Sequence, residues 1–412
     1  MANDKDDTKK KSTPPKKAAA PKKAPAPKQA PAPKKAPAPK KATKAQPTLQ
    51  PLAEGEVLIT GFPGFLSTRL VRELLGRQPL ARFNFLVLAG LRTTAERNLA
   101  ALESELPEFR GRWSVYTGDI TDRYLGLSEA TYAELATRVA VVWHLAALYD
   151  LAVAEEVAYR VNVSGTVHVL DFCQACSNFR RLNYVSTCYV SGERTGTIYE
   201  DELDEGQSHK NHYESTKFWA EVEVQRRRDR IPTVIVRPGI TVGDSRTGET
   251  NKYDGPYYFF KALEHLPSWV PMVNIGRGNA TGNLVPIDFV VRAMGHIGLA
   301  DEVAGQVFQL ADPNPMRARD FVALTLACMH RAPAVASVPE GLVRRLLSSS
   351  KVENFVGMPR EALDYFNHEA RYDSRNTQRA LRETNIRCPH LSSYLQTLID
   401  YFQSHPQSQL SA

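Results

Sequence analysis

Two side chains with acid–base chemistry stand four residues apart in the stretch Tyr213-Glu-Ser-Thr-Lys217. If this stretch is helical, both side chains share one face of the helix. A tyrosine hydroxyl has an ordinary pKa of about 10, and lowering it by about 3 units takes about 4 kcal/mol. An ammonium group about 4 Å away supplies energy of that order at an effective dielectric constant of about 20. The pair therefore predicts a phenol that Lys217 makes acidic enough to exchange a proton with a carbonyl or an alcohol.

The same spacing recurs at Tyr257 and Lys261, so position along the chain has to separate the two copies. From residue 55 onward, short apolar runs alternate with helical patterns, which predicts βαβ units and a parallel sheet. Thr187 then follows the fifth strand and Tyr213 begins the next helix. Because ligands of open α/β sheets bind at the carboxyl ends of the strands, we predict Thr187, Tyr213 and Lys217 as catalytic residues. The second copy lies in an aromatic run that is typical of a pocket lining.

A glycine turn follows the first predicted strand and precedes a predicted helix, which is the context of a dinucleotide site. Gly61 would allow the tight turn, and Gly64 would let the backbone approach a pyrophosphate at the helix N-terminus. Ser67 replaces the third glycine of the fingerprint, so we expect a slightly wider approach of helix and strand. The predicted cofactor residues of this turn are Gly61, Phe62, Pro63, Gly64, Phe65 and Leu66.

The choice of dinucleotide depends on the end of the second predicted strand, at about residues 83–88. An acidic residue there would bind the ribose 2′-hydroxyl of NAD, but residues 80–94 contain none. Arg92 is present instead, and an arginine suits the 2′-phosphate of NADP. The sequence therefore favours NADP over NAD, with a surface charge beside a helix as the open alternative for Arg92.

The basic character of the protein is confined to its N-terminus. The 412 residues carry a net charge of +7, but residues 1–50 contain fourteen Lys and three Asp, which leaves −4 for the rest. Pro-Ala-Pro-Lys recurs at 25, 31 and 37, a composition that predicts a disordered tail. The tail would be a tether to a polyanion or a membrane surface, or else a solubilising spacer. No apolar run is long enough to predict a transmembrane helix.

The five scattered cysteines suit a reducing compartment, so we predict a cytoplasmic protein that the tail could hold at a membrane or a nucleoid. Cys173 and Cys176 have no second pair, and we predict no metal site. The predicted fold class is α/β, a Rossmann-type doubly wound parallel sheet. It would comprise a tail over residues 1–50, an NAD(P)-binding domain over 51–245, and a smaller, interleaved substrate-binding or lid region over 246–412. In this last region we predict a strand near 306–310 and helices over 318–331, 340–349 and 377–402.

Residues 55–300 resemble an extended short-chain dehydrogenase/reductase. The matching motifs are Thr60-Gly61-Phe62-Pro63-Gly64, Gly118-Asp119, His144-Leu145-Ala146-Ala147, Ser186-Thr187, Tyr213-x-x-x-Lys217 and Arg237-Pro238-Gly239. Within that superfamily, residues 58–66, 242–248 and 254–258 are most similar to the thioester-reductase and fatty-acyl-CoA-reductase (male-sterility type) branch. Residues 301–412 match only loosely, and the tail has no counterpart.

The resemblance implies a role for each matching residue. Tyr213 is the general acid/base, Lys217 lowers its pKa and holds the nicotinamide ribose, and Thr187 hydrogen-bonds the substrate oxygen. Asp119 would contact the adenine, although a turn cap is the open alternative, and His144 suits a core histidine better than a catalyst. Further cofactor contacts are implied for Ile120, Ala146, Ala147, Pro238 and Gly239.

These residues predict an NADP-dependent oxidoreductase that reduces an acyl thioester, carried by CoA or a separate carrier protein, or a derived carbonyl. Two alternatives stay open. One is a nucleotide-sugar epimerase or dehydratase, or a 3β-hydroxysteroid-type dehydrogenase, on the same scaffold. The other is a non-catalytic NADP-sensing scaffold that the basic tail tethers to a polyanion.

Overall fold

The strands of the protein are short runs rich in β-branched and aromatic residues. The computed structural model describes residues 55–405, except 79, 151–152, 277 and 348–367, and the predicted tail over residues 1–50 lies outside them. The strands are β1 (Glu56–Thr60), β2 (Arg82–Val87), β3 (Trp113–Thr117), β4 (Val139–His144), β5 (Arg181–Val185), β6 (Gly196–Ile198), β7 (Thr233–Pro238), β8 (Ile240–Val242), β9 (Val273–Ile275), β10 (Leu284–Pro286), β11 (Val307–Leu310), β12 (Ala336–Val338) and β13 (Ala370–Tyr372).

The helices lie between these strands, and a single π-helical turn, Arg160–Ser164, joins α4 to α5. The helices are α1 (Phe65–Arg77), α2 (Arg92–Glu105), α3 (Glu129–Arg138), α4 (Glu155–Tyr159), α5 (Gly165–Ala175), α6 (His212–Arg227), α7 (Tyr257–His265), α8 (Ile287–Leu299), α9 (Ala318–Cys328), α10 (Glu340–Leu347), α11 (Arg375–Ala380) and α12 (Leu395–Ser404).

Seven of these strands form one parallel sheet in the order β11-β7-β5-β4-β1-β2-β3. The chain winds outward from β1 through β2 to β3, then returns to β4 and winds the other way through β5 and β7 to β11. This order confirms the predicted doubly wound Rossmann-type sheet. The direction reverses between β1 and β4, and in such sheets the ligand crevice lies outside the carboxyl ends of the strands at this point.

Side chains alternate between the two faces of a strand, so the sheet presents apolar residues on both faces. Helices cover both faces. On one face, Leu70 of α1 and Met294 of α8 belong to a cluster that includes Trp143 of β4. On the other face, Phe172 of α5 and Val224 of α6 belong to a cluster with Val142, the neighbour of Trp143. The sheet is therefore held between two helical layers, and the helices α1 and α6 are fixed beside the carboxyl ends of the strands.

The C-terminal part of the chain has a core of its own. Side chains of α7, α9 and α12 pack together around Tyr257, Phe321 and Phe402. The described residues also form three pairs of short parallel strands, namely β8 with β10, β9 with β12, and β6 with β13. Val242 of β8 and Leu284 of β10 belong to this core, whereas Ile198 of β6 and Tyr372 of β13 belong to a separate cluster. The domain boundary near residue 245 stays a prediction. Among the described helices, none combines the length and the apolar composition that crossing a bilayer requires.

The helix predicted over residues 377–402 is wrong as a single element. The structure has α11, which ends at Ala380, and α12, which begins at Leu395, with a short 3₁₀ turn at Leu391–Ser393 before α12. Pro389 lies in the break, where its ring removes a backbone donor and disfavours a helical conformation of the preceding residue. The apolar spacing continues through the break, which is why the pattern suggested one helix.

Candidate active site

The turn after β1 has a shape that only glycine fits at two positions. Gly61 has a φ of +82°, and a Cβ there would lie 2.6 Å from the backbone nitrogen of Ala146. A Cβ on Gly64 would lie 2.7 Å from the carbonyl oxygen of Gly61. Glycine tolerates both the left-handed backbone and the close approach. The turn therefore keeps the open cradle that a dinucleotide pyrophosphate requires.

The Ser67 side chain stabilises this turn. Its side chain is buried, and its hydroxyl oxygen lies 2.8 Å from the Gly61 carbonyl oxygen and 3.0 Å from that of Gly64. The serine that replaces the third glycine of the fingerprint thus donates to the carbonyl groups of the turn and fixes its shape.

The N-terminus of α1 lies at the same turn and contributes partial positive charge there. Gly64 is the N-cap residue, no side chain caps the helix, and the first turn contains no acidic residue. The first N–H groups of a helix lack intrahelical acceptors and carry partial positive charge, which suits a phosphate. The residues present therefore fit a dinucleotide cofactor.

A cavity of about 850 Å³ begins at this turn and extends across the carboxyl ends of the strands. All the predicted site residues except Arg92 contribute to its lining. These are Gly61, Phe62, Pro63, Gly64, Phe65, Leu66, Asp119, Ile120, Ala146, Ala147, Thr187, Tyr213, Lys217, Pro238 and Gly239.

Arg92 lies outside the lining, at the first position of α2. Its guanidinium donates to Glu96 at 2.8 Å and to the Thr117 hydroxyl at 2.9 Å, and the side chain is 47% exposed. Thr117 ends β3, so Arg92 stands beside the carboxyl ends of the two strands where a ribose would lie. The cavity wall at this end is formed by the apolar residues Leu88 and Leu91 instead.

Asp119 caps a turn while it faces the cavity. One carboxylate oxygen accepts a hydrogen bond from the Thr121 backbone N–H at 2.8 Å. Asp119 therefore does cap a turn, which was the alternative interpretation. Its contact with the adenine stays a prediction.

Thr187 and Tyr213 come together in the wall of the cavity. Thr187 follows β5, and Tyr213 is the second residue of α6, whose N-cap Asn211 accepts from the Glu214 backbone N–H at 3.0 Å. The Thr187 side chain hydrogen-bonds the Tyr213 phenol, and this contact lowers the phenol pKa. Burial acts more strongly in the opposite direction, and the Glu214 and Asp254 carboxylates add to it, so the pKa of Tyr213 is raised overall. The predicted acidic phenol is thus wrong for this structure.

The Lys217 ammonium group hydrogen-bonds other groups of the core. The buried Nζ donates to the Val185 carbonyl at 2.8 Å and to the Tyr184 hydroxyl at 3.2 Å. Burial lowers the pKa of Lys217 to about 8, although the charge of Glu221 opposes the shift. The expectation that Lys217 lowers the pKa of Tyr213 fails because spacing along a helix does not reveal how much burial costs the charged forms.

A buried ion pair holds α6 against the sheet below these residues. The Glu221 carboxylate accepts hydrogen bonds from the Arg237 guanidinium of β7 and from the Ser186 hydroxyl, each at 2.5 Å. The side chains of Glu221 and Arg237 are almost fully buried. Glu221 follows Lys217 by one helical turn. The pair therefore fixes the face of α6 that carries Tyr213 and Lys217.

Two buried polar residues tie the remaining loops to the site. Asn162, in the π-helical turn, accepts from the Leu148 N–H at 2.7 Å and donates to the Thr216 hydroxyl of α6 at 3.0 Å. His144 lies between the hydroxyls of Thr60 and Thr166, and burial with the nearby Lys217 charge lowers the pKa of His144 to about 3. His144 is thus a neutral core histidine, as the sequence suggested.

A family model described as male sterility protein, of the NAD-binding kind, matches residues 59–294. This chain belongs to the male sterility protein family. The match confirms the resemblance seen in the motifs and identifies residues 59–294 as an NAD-binding region of this family.

Two reductases of curated function are similar to this chain. The aldehyde reductase lnbA of Aspergillus flavus is 30% identical over 276 residues, which cover 63% of this chain and 27% of that protein. The L-2-aminoadipate reductase of Saccharomyces cerevisiae is 28% identical over 269 residues, which cover 59% of this chain and 19% of that protein. The chain thus spans only a small part of the length of these curated relatives.

A crystal structure shares the architecture. The terminal R domain from the myxalamid PKS-NRPS biosynthetic pathway superposes with a TM-score of 0.73 and is 27% identical, with 85% of this chain and 90% of that domain covered.

The sequence missed three cavity residues that surround Tyr213 in this member of the family. The Tyr149 ring meets the Tyr213 ring edge-on, with centroids 4.8 Å apart, and its hydroxyl hydrogen-bonds Asp254. The Lys252 ammonium lies 2.8 Å from the Asp254 carboxylate and 3.6 Å from the centre of the Tyr149 ring. Asp254 lies in one of the stretches that carry the family resemblance, but no local pattern links it to Tyr149.

The far end of the cavity is apolar. Its wall is built by side chains of the C-terminal core and its neighbours, namely Ile240, Tyr258, Leu284, Met316, Phe321 and Leu391. An apolar wall beside two hydroxyl groups suits a substrate with a polar reacting group and a hydrocarbon portion.

Proposed function

We propose that the protein reduces acyl thioesters, bound to CoA or to a carrier protein, with NADPH as the hydride donor. The observation that carries this proposal is the hydrogen-bonded pair of Thr187 and Tyr213, which lines the same cavity as the glycine cradle and the apolar wall. A thioester carbonyl placed beside this pair would contact the hydroxyl groups of both Thr187 and Tyr213.

The proposed chemistry needs a proton donor and stabilisation of a developing oxyanion. Thr187 and Tyr213 would donate hydrogen bonds to the carbonyl oxygen as negative charge forms on it. Because the pKa of Tyr213 is raised, the phenol is protonated at neutral pH and available to give its proton to that oxygen. NADPH, when bound, supplies the hydride; Gly61, Gly64 and the N-terminus of α1 would hold its pyrophosphate.

The preference for NADPH over NADH rests on Arg92. The end of β2 offers no carboxylate for a ribose 2′-hydroxyl, and the exposed Arg92 stands beside it. Its partner Glu96 is 42% exposed, so a phosphate could share the guanidinium at little cost in desolvation.

The thioester assignment is supported by the relatives and by the apolar wall. One relative is named an aldehyde reductase, the solved R domain belongs to a PKS-NRPS biosynthetic pathway, and a second solved structure, of a non-ribosomal peptide synthetase, joins a thiolation domain to a reductase domain. A cytoplasmic location and an electrostatic contact of the basic tail with a polyanion or membrane surface stay predictions.

A panel of acyl-CoA and acyl-carrier substrates of increasing chain length tests the proposal. We expect NADPH oxidation, followed by absorbance, together with release of free thiol. One NADPH per thiol would mark an aldehyde product, and two would mark an alcohol. If NADPH binds but no thioester releases thiol, the thioester assignment is wrong while the family assignment stands.

A further inference from the structure

A short antiparallel ladder separates the active-site cavity from a second cavity. Ala318 N–H donates to the Ala280 carbonyl at 2.8 Å, Gly282 N–H donates to the Met316 carbonyl at 3.2 Å, and Thr281 bridges Arg317. Neighbouring residues of an extended segment point to opposite sides. Accordingly Gly282, Met316 and Ala318 line the active-site cavity, whereas Thr281 and Arg317 line the second one.

The second cavity, which we call the arginine groove, has a volume of about 490 Å³. Its opposite wall comes from the pair of β6 and β13, in which Arg371 stands opposite Thr197. The Thr281 hydroxyl donates to the Ala370 carbonyl at 3.1 Å and joins the ladder to β13. The complete lining is Gly196, Thr197, Asn279, Thr281, Arg317, Glu369 and Arg371.

The charges of the groove favour an anion. Arg317 and Arg371 are both exposed, and neither makes a salt bridge with a described carboxylate. Nearby arginines differ, since Arg319 pairs with Asp320 and Arg375 pairs with Asp373. Glu369 is the single acidic residue in the lining, so the groove carries a net positive charge. Two guanidinium groups beside hydroxyl and amide side chains suit a phosphate.

We propose that the arginine groove binds the phosphate of the phosphopantetheine arm that CoA and carrier proteins share. The inference rests on the proposed thioester function and names the part of the substrate that lies outside the reacting centre. A thioester carbonyl at Tyr213 and a phosphate at Arg317 would lie on the two sides of the same ladder. Gly282 of this ladder lines the active-site cavity and carries no side chain that would obstruct an arm running along that wall.

The test compares one acyl group on pantetheine, 4′-phosphopantetheine, CoA and a carrier protein. We expect Arg317→Gln and Arg371→Gln each to raise KM for the three phosphorylated substrates by about 3- to 10-fold, with kcat unchanged and acyl-pantetheine unaffected. Glu369→Gln should lower KM for the same three substrates, because it removes the opposing charge. Arg110→Gln, an exposed arginine beside the opposite edge of the sheet, is the control and should change nothing.

Opposite shifts in the arginine and Glu369 variants would support phosphate binding, because damage to the fold cannot produce both. Equal losses with pantetheine and phosphopantetheine substrates would overturn it. An effect confined to CoA would assign the groove to the nucleotide phosphates, and one confined to the carrier would assign it to the protein surface; both results contradict the shared arm.

Binding of free 4′-phosphopantetheine, measured by calorimetry against pantetheine, separates this inference from the proposed function. We expect tighter binding of the phosphorylated compound to the wild-type protein, lost in Arg317→Gln, even if no thioester were reduced. Equal binding of the two compounds would overturn the groove assignment and leave the reductase proposal intact.

Discussion

At the scale of single residues, burial has the largest effect on the acidity of Tyr213, Lys217 and His144. It raises the pKa of Tyr213, lowers that of Lys217 to about 8 and lowers that of His144 to about 3. The phenol is therefore protonated at neutral pH, and the imidazole is neutral. Both states suit a site that gives a proton to a substrate oxygen without holding a surplus of buried charge.

The neutral His144 predicts how stability depends on pH. Its folded pKa lies below its unfolded pKa, so the unfolded chain binds the extra proton as pH falls below about 6.5. Stability is thus lost between about pH 6.5 and pH 3, and His144 contributes up to about 1.4 kcal/mol per pH unit there. Denaturant unfolding at pH 7, 6 and 5 should show a shallower pH dependence in His144→Gln. An unchanged slope would contradict the neutral buried histidine.

At the scale of elements, α6 and the strand ends decide which side chains meet. Tyr213, Lys217 and Glu221 lie one helical turn apart on α6, and the pair of Glu221 with Arg237 holds that face against the sheet. Apolar alternation and glycine turns are local patterns, so the sequence predicted β1 to β5, the turn at Gly61 and the meeting of Thr187 with Tyr213. The contact of Tyr149 with Asp254 joins segments about a hundred residues apart, and no local pattern encodes it.

Removing the charge of Glu221 should destabilise the protein strongly. In Glu221→Gln the buried Arg237 loses its counter-charge, which we expect to cost about 3–5 kcal/mol of unfolding free energy. Glu223→Gln is the matched control, because it breaks the more exposed pair with Arg226 on the same helix and should cost at most about 1 kcal/mol. Equal losses in the two variants, measured by denaturant unfolding, would mean that the buried pair does not anchor α6.

The position of Arg92 at the start of α2 predicts cofactor preference. Arg92→Ala should raise KM for NADPH by about 10-fold, the value of one charge-assisted hydrogen bond at a partly exposed site, and should leave KM for NADH nearly unchanged. Arg97→Ala, on the same helix, is the control. An equal change in KM for NADPH and for NADH would show that Arg92 does not recognise the 2′-phosphate.

At the scale of the whole molecule, the C-terminal chain completes the sheet and closes the substrate end of the cavity. β11 adds the edge strand beside β7, and Glu200 accepts backbone N–H groups from Gln309 and Asn376, which binds β11 and α11 to the segment after β6. These contacts join distant parts of the chain. The sequence predicted the strand near 306–310 from its local pattern, but these long-range contacts have no local signal. The break between α11 and α12 at Pro389 was missed because the apolar spacing on either side suggested one helix.

We propose that the Tyr213 phenol gives the proton during reduction of a thioester by NADPH. The most direct measurement is kcat for NADPH oxidation with a saturating thioester in Tyr213→Phe, which keeps the ring beside Tyr149, alongside the dissociation constant of NADPH from fluorescence titration. We predict that kcat falls by about 10²- to 10⁴-fold while the dissociation constant stays within about twofold. An unchanged kcat in Tyr213→Phe would contradict the account.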